Sequence, residues 1–277
     1  MIYKEDKLFM VLPAHLKENV LYSHQGLTYG GFVLGNSVKL KSVLEGFKCV
    51  LKYLEERKVD SLFLKPIPNI YCKSPSDELE YLLFLTEANC YRKDTLSVID
   101  FNNRIKVSND RKNGYKRGVK NNLKVKEVDT FEEFWNDILT KNLQSKHQVQ
   151  PVHSVEEITY LKEKFPKHIR QFNVYDGDEI VAGTTIFETS QLAHSQYISG
   201  NDDKNALGSL DFLHMYLLDD VFKDKQYFDF GISNEDEGTK INEGLQYWKE
   251  GFGARTIVQN FYEVPTKNHN LLNDVFL

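Results

Sequence analysis

The last quarter of the chain constrains the fold more than any other stretch. Tyr227-Phe-Asp-Phe-Gly-Ile-Ser233 reads as a strand that ends in Phe-Gly. A helix follows that ends in Tyr247-Trp-Lys-Glu-Gly-Phe-Gly-Ala254, and a strand over Thr256–Val264 comes after it. A strand, a helix and a strand in so short a stretch indicate an α/β protein.

Length and charge limit the number of domains and the kind of partner. The chain has 277 residues, of which 41% are hydrophobic and 13% aromatic, so it can form two domains with separate cores. Its formal net charge of -5 and pI near 5.9 argue against a protein whose main task is to grip a polyanion. We therefore expect a small-molecule partner and no DNA binding, and the sequence leaves the oligomeric state open.

Cysteine spacing and the apolar pattern indicate the compartment. Cys49, Cys72 and Cys90 form no Cys-x-x-Cys pair, which is typical of reduced thiols in a cytoplasm. The first residues lack a basic region followed by an apolar stretch, and no run of about 18 apolar residues occurs. We expect a soluble, cytoplasmic chain without a membrane span.

The first half predicts alternating strands and helices. Apolar residues at helical spacing predict a helix over Val38–Arg57, and Leu62-Phe-Leu-Lys-Pro66 predicts a short strand. A second helix is predicted over Ser76–Cys90, with a cap at its first residues, and a strand over Leu96–Phe101. We also expect Tyr29-Gly-Gly-Phe32 to be a strand whose glycines allow a bulge.

The second half repeats this order. The pattern predicts strands at His194–Ile198, Tyr227–Gly231 and Thr256–Val264, with helices over Ser209–Lys223 and Asn242–Gly251 between them. The similar order and lengths suggest a duplication, although the two halves share little residue identity.

A basic segment separates the halves, and helices and a hairpin follow it. Residues 111–126 contain seven basic side chains in sixteen positions, with Gly114 and Gly118 among them. Helices are predicted over Thr130–Asn142 and from Ser154 to about Lys164, the latter with a capping box. A hairpin is predicted for 171–175 and 179–187, turned through Asp-Gly-Asp.

These features resemble the Fem-type acyltransferases, which are tandem members of the GNAT superfamily of N-acyltransferases. The residues that carry the resemblance are Phe230-Gly231, Trp248-Lys-Glu-Gly-Phe-Gly253 and Gly183. The resemblance implies an α/β (α+β) fold of two tandem GNAT-like domains, each a mixed central sheet flanked by helices. Residues 1–106 would be the trimmed copy and residues 107–277 the complete one.

The resemblance also implies an activity. We expect an acyl group to pass, within a ternary complex, to a small-molecule amine acceptor that is a cell-envelope or polysaccharide precursor. Acyl-CoA is the expected donor and co-substrate, with no permanently bound cofactor. An aminoacyl-tRNA donor is the alternative, although the long helical arm of some tRNA-dependent members is missing. A third possibility is a degenerate GNAT that only binds a ligand.

Acyl transfer requires a base, a group that stabilises the oxyanion, and an acid. Resemblance to Fem-type enzymes implies that Lys249 faces either the reacting acyl group or a substrate phosphate. Glu188, at the end of a hairpin strand that borders the acyl cleft in GNAT proteins, and His194 are candidate bases, as is His214. Tyr227 is a candidate acid by residue type. Each of them also has an ordinary structural interpretation.

GNAT proteins hold the pyrophosphate of acyl-CoA on a glycine-rich turn before a helix. The corresponding stretch, 200–209, keeps Lys204, Gly208 and Ser209 as suitable residues, but it has Leu207 in place of the middle glycine and two acidic residues. In the basic segment, Lys116 and Arg117 are further candidates for phosphate binding. Both stretches can instead be a simple helix cap and a solvated face.

Other chemistries lack a signature in the sequence. The spacing of the eight histidines matches no metal-binding pattern, and neither His-Glu-x-x-His nor Gly-x-Ser-x-Gly occurs. We therefore expect neither a bound metal nor a serine nucleophile. In double-GNAT proteins the trimmed copy commonly forms one wall of the acceptor cleft, and residues 29–32 are the place to look for it.

Overall fold

The computed structural model describes the side chains of residues 1–145 and 148–277. The strands are, in chain order, β1 (Ile2–Lys4), β2 (Lys7–Val11), β3 (His15–Lys17), β4 (Val20–Tyr22), β5 (Val33–Leu34), β6 (Ser61–Leu64), β7 (Asn89–Asp100), β8 (Lys124–Val128), β9 (Ile169–Asp176), β10 (Glu179–Glu188), β11 (Leu192–Gly200), β12 (Tyr227–Ile232), β13 (Asn234–Glu235), β14 (Lys240–Ile241) and β15 (Arg255–Pro265). The α-helices are α1 (Leu40–Glu56), α2 (Glu78–Leu85), α3 (Asn109–Lys120), α4 (Glu132–Phe134), α5 (Thr140–His147), α6 (Val155–Lys164), α7 (Lys204–Leu207), α8 (Ser209–Tyr216) and α9 (Glu243–Glu250). A π-helical stretch, Trp135–Leu139, joins α4 to α5, and another, Leu217–Val221, continues α8.

The chain forms two compact units, and both are discontinuous in sequence. The first unit contains Met1–Asp94, Asn234–Lys240 and Val258–Leu277, and the second contains Thr95–Ser233 and Ile241–Ile257. The predicted domains, 1–106 and 107–277, are contiguous, and that division stays a prediction. Within the described residues, no helix combines the length and the apolarity that a membrane span needs.

In the first unit, helices cover one face of a small sheet. Strands β3, β4, β6 and β15 lie side by side in that order. Phe47 and Leu51 of α1 are fully buried and pack with Leu62 and Leu64 of β6, because both elements place apolar residues at the spacing of one face. The predicted helix over 38–57 and the predicted strand at 62–64 are present.

Two predictions for the first unit are wrong. Helix α2 ends at Leu85 rather than at Cys90, because Glu87 adopts a left-handed conformation and the amide of Ala88 bonds back to Leu83. Residues from Asn89 onward belong to β7. Residues 29–32 form a loop instead of a strand, and the amide of Gly30 donates to the carbonyl oxygen of Lys65.

The second unit contains a larger mixed sheet. Its strands lie in the order β7, β12, β11, β10, β9, β8. The predicted hairpin is present as β9 and β10, which pair in antiparallel fashion around the turn at 177–178. The predicted capping box is also present, since Ser154 Oγ accepts from the amide of Glu157 and the Glu157 carboxylate accepts from the amide of Ser154.

Helices pack on both faces of this sheet. Alternate residues of β9 point into different cores: Phe172 and Val174 pack with α8, whereas Tyr175 packs with the helices α4 and α6. Trp135 is buried in the second of these cores. A mixed sheet flanked by helices is thus confirmed as the fold class.

The basic segment folds as one uninterrupted helix, α3, only as far as Lys120, and Lys124 and Lys126 belong to β8. The two glycines of α3 face α8. A Cβ atom at Gly118 would lie 2.5 Å from Phe212 Cβ, so the two helix backbones approach closely only because these positions lack side chains. Three basic side chains, Lys116, Arg117 and Lys120, are exposed, whereas Arg111 is largely buried and pairs with Asp211 of α8.

Candidate functional site

A cleft opens in the second unit where two parallel strands separate. Strands β11 and β12 pair only from Leu192 opposite Tyr227 to His194 opposite Asp229. Beyond this point they part, and a cavity of about 610 Å³ lies between them. Side chains from α5, β11, α7, α8, β12 and α9 line it. A cleft of this size holds a small ligand or the reacting end of a larger one.

Lys249 lies in the wall of this cleft. Its side chain is only 2% exposed, and Nζ donates to the carbonyl oxygens of Gly231 at 3.1 Å and Ile232 at 2.6 Å. Burial lowers the pKa of Lys249 to about 8, although the negative charge of Asp229 raises it in part. The cation is therefore present at neutral pH and sits where water solvates it poorly.

A bulge at the end of β12 turns these carbonyl groups toward Lys249. Opposite β7, Asp229 pairs with Val98 but Ile232 pairs with Leu96, so β12 contains an extra residue. Gly231 has a φ of +72°, which favours glycine. Its amide donates to Asp229 Oδ1 at 2.7 Å, so Asp229 and Lys249 hold the same residue from two sides.

His194 lies beside the cleft, but both of its ring nitrogens are engaged. Nδ1 is 3.0 Å from Asp229 Oδ2, and Nε2 is 3.1 Å from Gln196 Oε1. Gln196 lines the cleft, whereas His194 does not. A general base needs a ring nitrogen that reaches the substrate. In this structure the Nε2 atom of His194 instead faces Gln196, which lines the cleft.

His214 is fully buried beneath the cleft. Its Nδ1 donates to the carbonyl oxygen of Leu210 at 2.9 Å, and Nε2 lies 3.5 Å from Ser195 Oγ in the cleft wall. Burial, together with the charge of Lys249, lowers the pKa of His214 to about 4, although the hydrogen bond to Leu210 acts in the opposite direction. The ring is neutral at physiological pH and is a poor proton acceptor.

Asp211 contributes a carboxylate group to the cleft lining, and two side chains donate hydrogen bonds to it. Oδ1 accepts from Arg111 Nη1 at 2.7 Å and from Trp248 Nε1 at 2.8 Å. Burial raises the pKa of Asp211, while Arg111 acts in the opposite direction. Gly114 makes this contact possible, because a Cβ atom there would lie 1.6 Å from Asp211 Oδ2.

Two of the predicted catalytic residues lie away from the cleft. Glu188 ends β10 as expected, but its carboxylate binds Arg170 at 3.1 Å and Lys225 at 2.7 Å. Tyr227 begins β12, opposite the end at which the strands part, and Gln226 Nε2 donates to its hydroxyl group. Neither residue contributes to the cleft lining.

The candidate phosphate turn uses its amides internally. Lys204 lines the cleft at the start of α7. The amide of Gly208 donates to the carbonyl oxygen of Lys204, and the amide of Leu207 donates to Asp203. Ser209 is fully buried, and its hydroxyl group has no hydrogen-bond partner in the described part of the chain. Two amides of this turn are therefore engaged within it and do not face a ligand.

The remaining two candidates lie on the exposed side of α3. Lys116 and Arg117 are exposed and do not line the cleft. Arg117 Nε donates to the carbonyl oxygen of Asn205, which does line it. Arg117 thus holds the outer side of the turn in place, and Lys116 faces solvent.

Sequence reasoning missed Asp211 and the structural importance of Asp229. Each is a charged residue in an otherwise apolar pattern: Asp229 lies between two phenylalanines in a strand, and Asp211 lies on the buried face of α8. A buried carboxylate needs bound donors, so this pattern is the signal that could have identified both residues.

The lining carries positive charge and apolar surface. Lys204 and Lys249 contribute cations, while Asp211 is balanced by Arg111. Leu143, Leu210 and Phe230 supply apolar walls. Among the described residues, no three histidine, cysteine or carboxylate side chains converge so that they could hold a metal ion.

Comparison with known proteins identifies the fold. No protein-family model and no curated protein sequence matches the chain. Among solved structures, L-PGS from Bacillus licheniformis superposes with a TM-score of 0.61 and 12% identity, covering 98% of this chain and 87% of that one. FemX gives 0.59 and 10%, covering 90% and 84%. A tandem GNAT protein from the clavulanic acid biosynthesis pathway gives 0.50 and 8%, covering 90% and 75%. The chain therefore has the Fem-like, tandem GNAT fold that the sequence predicts.

Proposed function

We propose that the protein transfers an acyl or aminoacyl group from an activated donor to an amine in the cleft between β11 and β12. One observation carries this proposal. Lys249 is a buried cation in the cleft wall, held by two carbonyl oxygens, with a pKa lowered to about 8. Similarity to FemX and to a tandem GNAT protein supports the same class of reaction.

Lys249 would stabilise the charge that develops during the reaction. The amine nitrogen attacks the acyl carbonyl carbon, and the carbonyl oxygen becomes an oxyanion. Two N–H groups of Lys249 are fixed by Gly231 and Ile232, and an ammonium group has three, so the third can point to that oxygen. A cation in a poorly solvated site interacts more strongly with the oxyanion than a cation in water does.

The same positive charge prepares the acceptor. An amine must be neutral to attack, and nearby cations lower the pKa of an ammonium group. Lys204 and Lys249 both line the cleft, so an amine that enters it loses its proton more easily. When the tetrahedral intermediate collapses, the bond to the leaving atom breaks. The proton lost when the ammonium group becomes an amine passes to solvent, and a second proton, lost by the nitrogen after it has attacked, neutralises the departing sulfur or oxygen atom.

The lining favours an acyl group without positive charge. The carboxylate of Asp211 is already paired with Arg111, so a cationic acyl chain would meet two lysines with no compensating anion from Asp211. Leu143, Leu210 and Phe230 instead suit an apolar or small neutral group. A lysyl group would be a poor substrate, in contrast to what the name of the lysylphosphatidylglycerol synthetase domain from Agrobacterium fabrum says of that protein.

The donor can be acyl-CoA or aminoacyl-tRNA. Acyl-CoA stays our first expectation. A specific observation favours the second candidate: the amides of Leu207 and Gly208 are engaged within the turn that would hold a pyrophosphate. In addition, the exposed basic side chains of α3, including Lys116, Arg117 and Lys120, offer a surface for a polyanion.

The proposal is tested by following transfer from both donors. The purified protein is incubated with [¹³C]acetyl-CoA or [¹³C]alanyl-tRNA and a panel of amino sugars and amino acids, and products are identified by mass spectrometry. We expect a labelled amide with one donor. Failure of both donors to label any amine, and to raise the melting temperature of the protein, would contradict the proposal.

Salt dependence then separates the two donors. Transfer from a tRNA donor should weaken steeply between about 50 and 200 mM salt, because phosphate contacts release counterions. Lys116→Ala should weaken it further, whereas transfer from acetyl-CoA should respond little to either change. Lys223→Ala, which removes an exposed lysine outside the cleft and outside α3, is the matched control.

A further inference from the structure

The first unit contains a second concave surface, which we call the aromatic groove. It has a volume of about 400 Å³ and shares no lining residue with the cleft described above. Its lining includes four aromatic side chains and two cations: Tyr22, Phe63, Tyr91, Phe261, Lys65 and Arg92.

Strand register brings the aromatic rings together. Tyr22 lies opposite Phe63 in the parallel pairing of β4 and β6. Because Leu62 and Leu64 point into the core, Phe63 must point to the other face of β6. Ring centroids are 5.1 Å apart for Tyr22 and Phe63, 5.2 Å for Phe63 and Tyr91, and 6.2 Å for Tyr91 and Phe261. The result is a continuous aromatic wall.

This wall is partly accessible. Tyr91 is 47% exposed, and the other three rings are only partly buried. Aromatic side chains exposed side by side keep apolar surface in water, which folding alone does not favour. A flat ring that stacked on them would remove that surface from water.

Two cationic side chains line the groove, and hydrogen bonds hold each of them in place. Arg92 donates through Nε and Nη2 to Asp94 at 2.9 and 2.7 Å, and its guanidinium carbon lies 4.6 Å from the centre of the Phe261 ring. Lys65 Nζ donates to the carbonyl oxygens of Gln25, at 3.1 Å, and of Leu27.

Of these two cations, Lys65 is the one whose charge its surroundings disfavour. Burial lowers the pKa of Lys65, and the charge of Arg92 lowers it further. The charge of Arg92 is compensated by Asp94, at 2.7 Å, and by the charge of Glu237. The partners of Lys65 Nζ are neutral carbonyl groups, so an anion between the two side chains would stabilise the charge of Lys65 while Arg92 adds a second, positioned donor.

We propose that the aromatic groove binds a phosphorylated ring compound, with the ring against the aromatic wall and the phosphate between Lys65 and Arg92. Nucleoside phosphates and sugar phosphates share this chemistry, since both combine an anion with a ring face that packs on aromatic side chains: the plane of a base, or the C–H groups on one face of a sugar. The groove and the cleft share no lining residue, so ligand binding in the groove does not depend on acyl transfer in the cleft.

Calorimetric titration of the full chain tests the proposal with three probes: adenosine 5′-monophosphate, glucose 1-phosphate and inorganic phosphate. We expect one of the ring compounds to bind at least roughly tenfold more tightly than inorganic phosphate, because stacking adds to the ionic contact. Tighter binding of the nucleotide identifies a nucleoside phosphate as the ligand type, and tighter binding of glucose 1-phosphate identifies a sugar phosphate. Equal affinity for all three probes, or no binding, overturns the proposal.

Variants assign the binding to the groove. Lys65→Met and Tyr91→Ala should each weaken binding of the preferred probe by about tenfold. The matched controls are Lys93→Met, next to Arg92 in β7, and Tyr81→Ala, which is 46% exposed on α2 and lies outside the groove. The controls should bind as the unchanged protein does. Full affinity in Tyr91→Ala, with a melting temperature close to that of the unchanged protein, would place any binding elsewhere and contradict the assignment.

Discussion

Lys249 and Lys65 are anchored alike but lie in different surroundings. Each donates through Nζ to two main-chain carbonyl oxygens, and burial lowers the pKa of each. Asp229 raises the pKa of Lys249, whereas the charge of Arg92 lowers that of Lys65 further. Hydrogen bonds to carbonyl oxygens fix each lysine in place, and the neighbouring charged and apolar groups decide what the lysine can bind. Lys249 faces a partly apolar cleft, and Lys65 faces aromatic rings.

The largest expected effect is the loss of acyl-transfer activity when Lys249 is replaced. Lys249→Met should lower the rate of acyl transfer by about 10²- to 10³-fold, because it removes a donor to the oxyanion. Initial rates with saturating donor measure the effect. Lys223→Met, an exposed lysine of the same unit, should retain full activity. A loss of less than about threefold in Lys249→Met would assign that lysine a structural role only.

The pH dependence of the transfer rate reports the protonation state of Lys249 and should not depend on Lys65. Lys249 acts as an ammonium group, which is present below its pKa of about 8 and is lost above it. The rate should therefore fall about tenfold per pH unit well above pH 8. A pH profile of kcat measures this limb. Lys65→Met should leave its position unchanged, since Lys65 does not line the cleft. A rate that still rises between pH 8 and 10 would contradict the role of Lys249.

The third prediction concerns the close packing of α3 against Asp211 in the cleft wall. Gly114→Ala places a Cβ atom 1.6 Å from Asp211 Oδ2, so Asp211 or α3 must move. We expect the free energy of unfolding to fall by about 1–3 kcal/mol, as in other overpacked sites. Urea denaturation measures it. Gly244→Ala is the matched control, because Asn242 Oδ1, at 3.8 Å, is the nearest atom that a Cβ there would meet. An unchanged stability in Gly114→Ala would argue against the close contact of α3 with Asp211.

A smaller effect concerns the charge of the acyl group. Lys204→Glu reverses one of the two cations in the cleft lining. The ratio of rates with lysyl and alanyl donors should then shift toward lysyl by about two- to fivefold, the size of one partly solvated ion pair. Lys223→Glu should leave the ratio as it is. If the ratio does not move, charge in the cleft does not set the choice of acyl group.

The smallest expected effect belongs to Glu188. It pairs with Arg170 and Lys225 outside the cleft, so Glu188→Gln should change the transfer rate by less than about twofold. A large loss of activity with an unchanged melting temperature would restore Glu188 as a catalytic candidate.

Local signals explain most of the fold that the sequence predicts. The capping box at Ser154 and Glu157 and the turn at 176–178 involve neighbouring residues, and both are present. The end of α2 depends on the left-handed conformation of Glu87, which no common sequence signal marks. The glycines of α3 look like weak points of a helix in sequence. In three dimensions they are the sites of close helix packing.

The candidate site was harder to predict because its contacts are distant in sequence. Lys249 follows from a motif. Arg111 and Asp211 are one hundred residues apart, and only the packing of α3 on α8 brings them together. In the same way, the engagement of His194 by Asp229 depends on the register of β11 and β12. Residue type suggests His194 as a base, whereas in the structure both of its ring nitrogens contact other side chains, Asp229 and Gln196.

Titration of individual lysines by ¹³C NMR measures the protonation state of Lys249, on which the proposed mechanism depends. The protein is labelled with [ε-¹³C]lysine, and Lys249→Met assigns the Lys249 signal. We expect Lys249 to titrate near pH 8 rather than near its ordinary 10.5, and its signal to shift when acetyl-CoA or alanyl-tRNA is added. Titration of Lys249 near 10.5, with no response to either donor, would contradict the claim that a buried cation in this cleft stabilises acyl transfer.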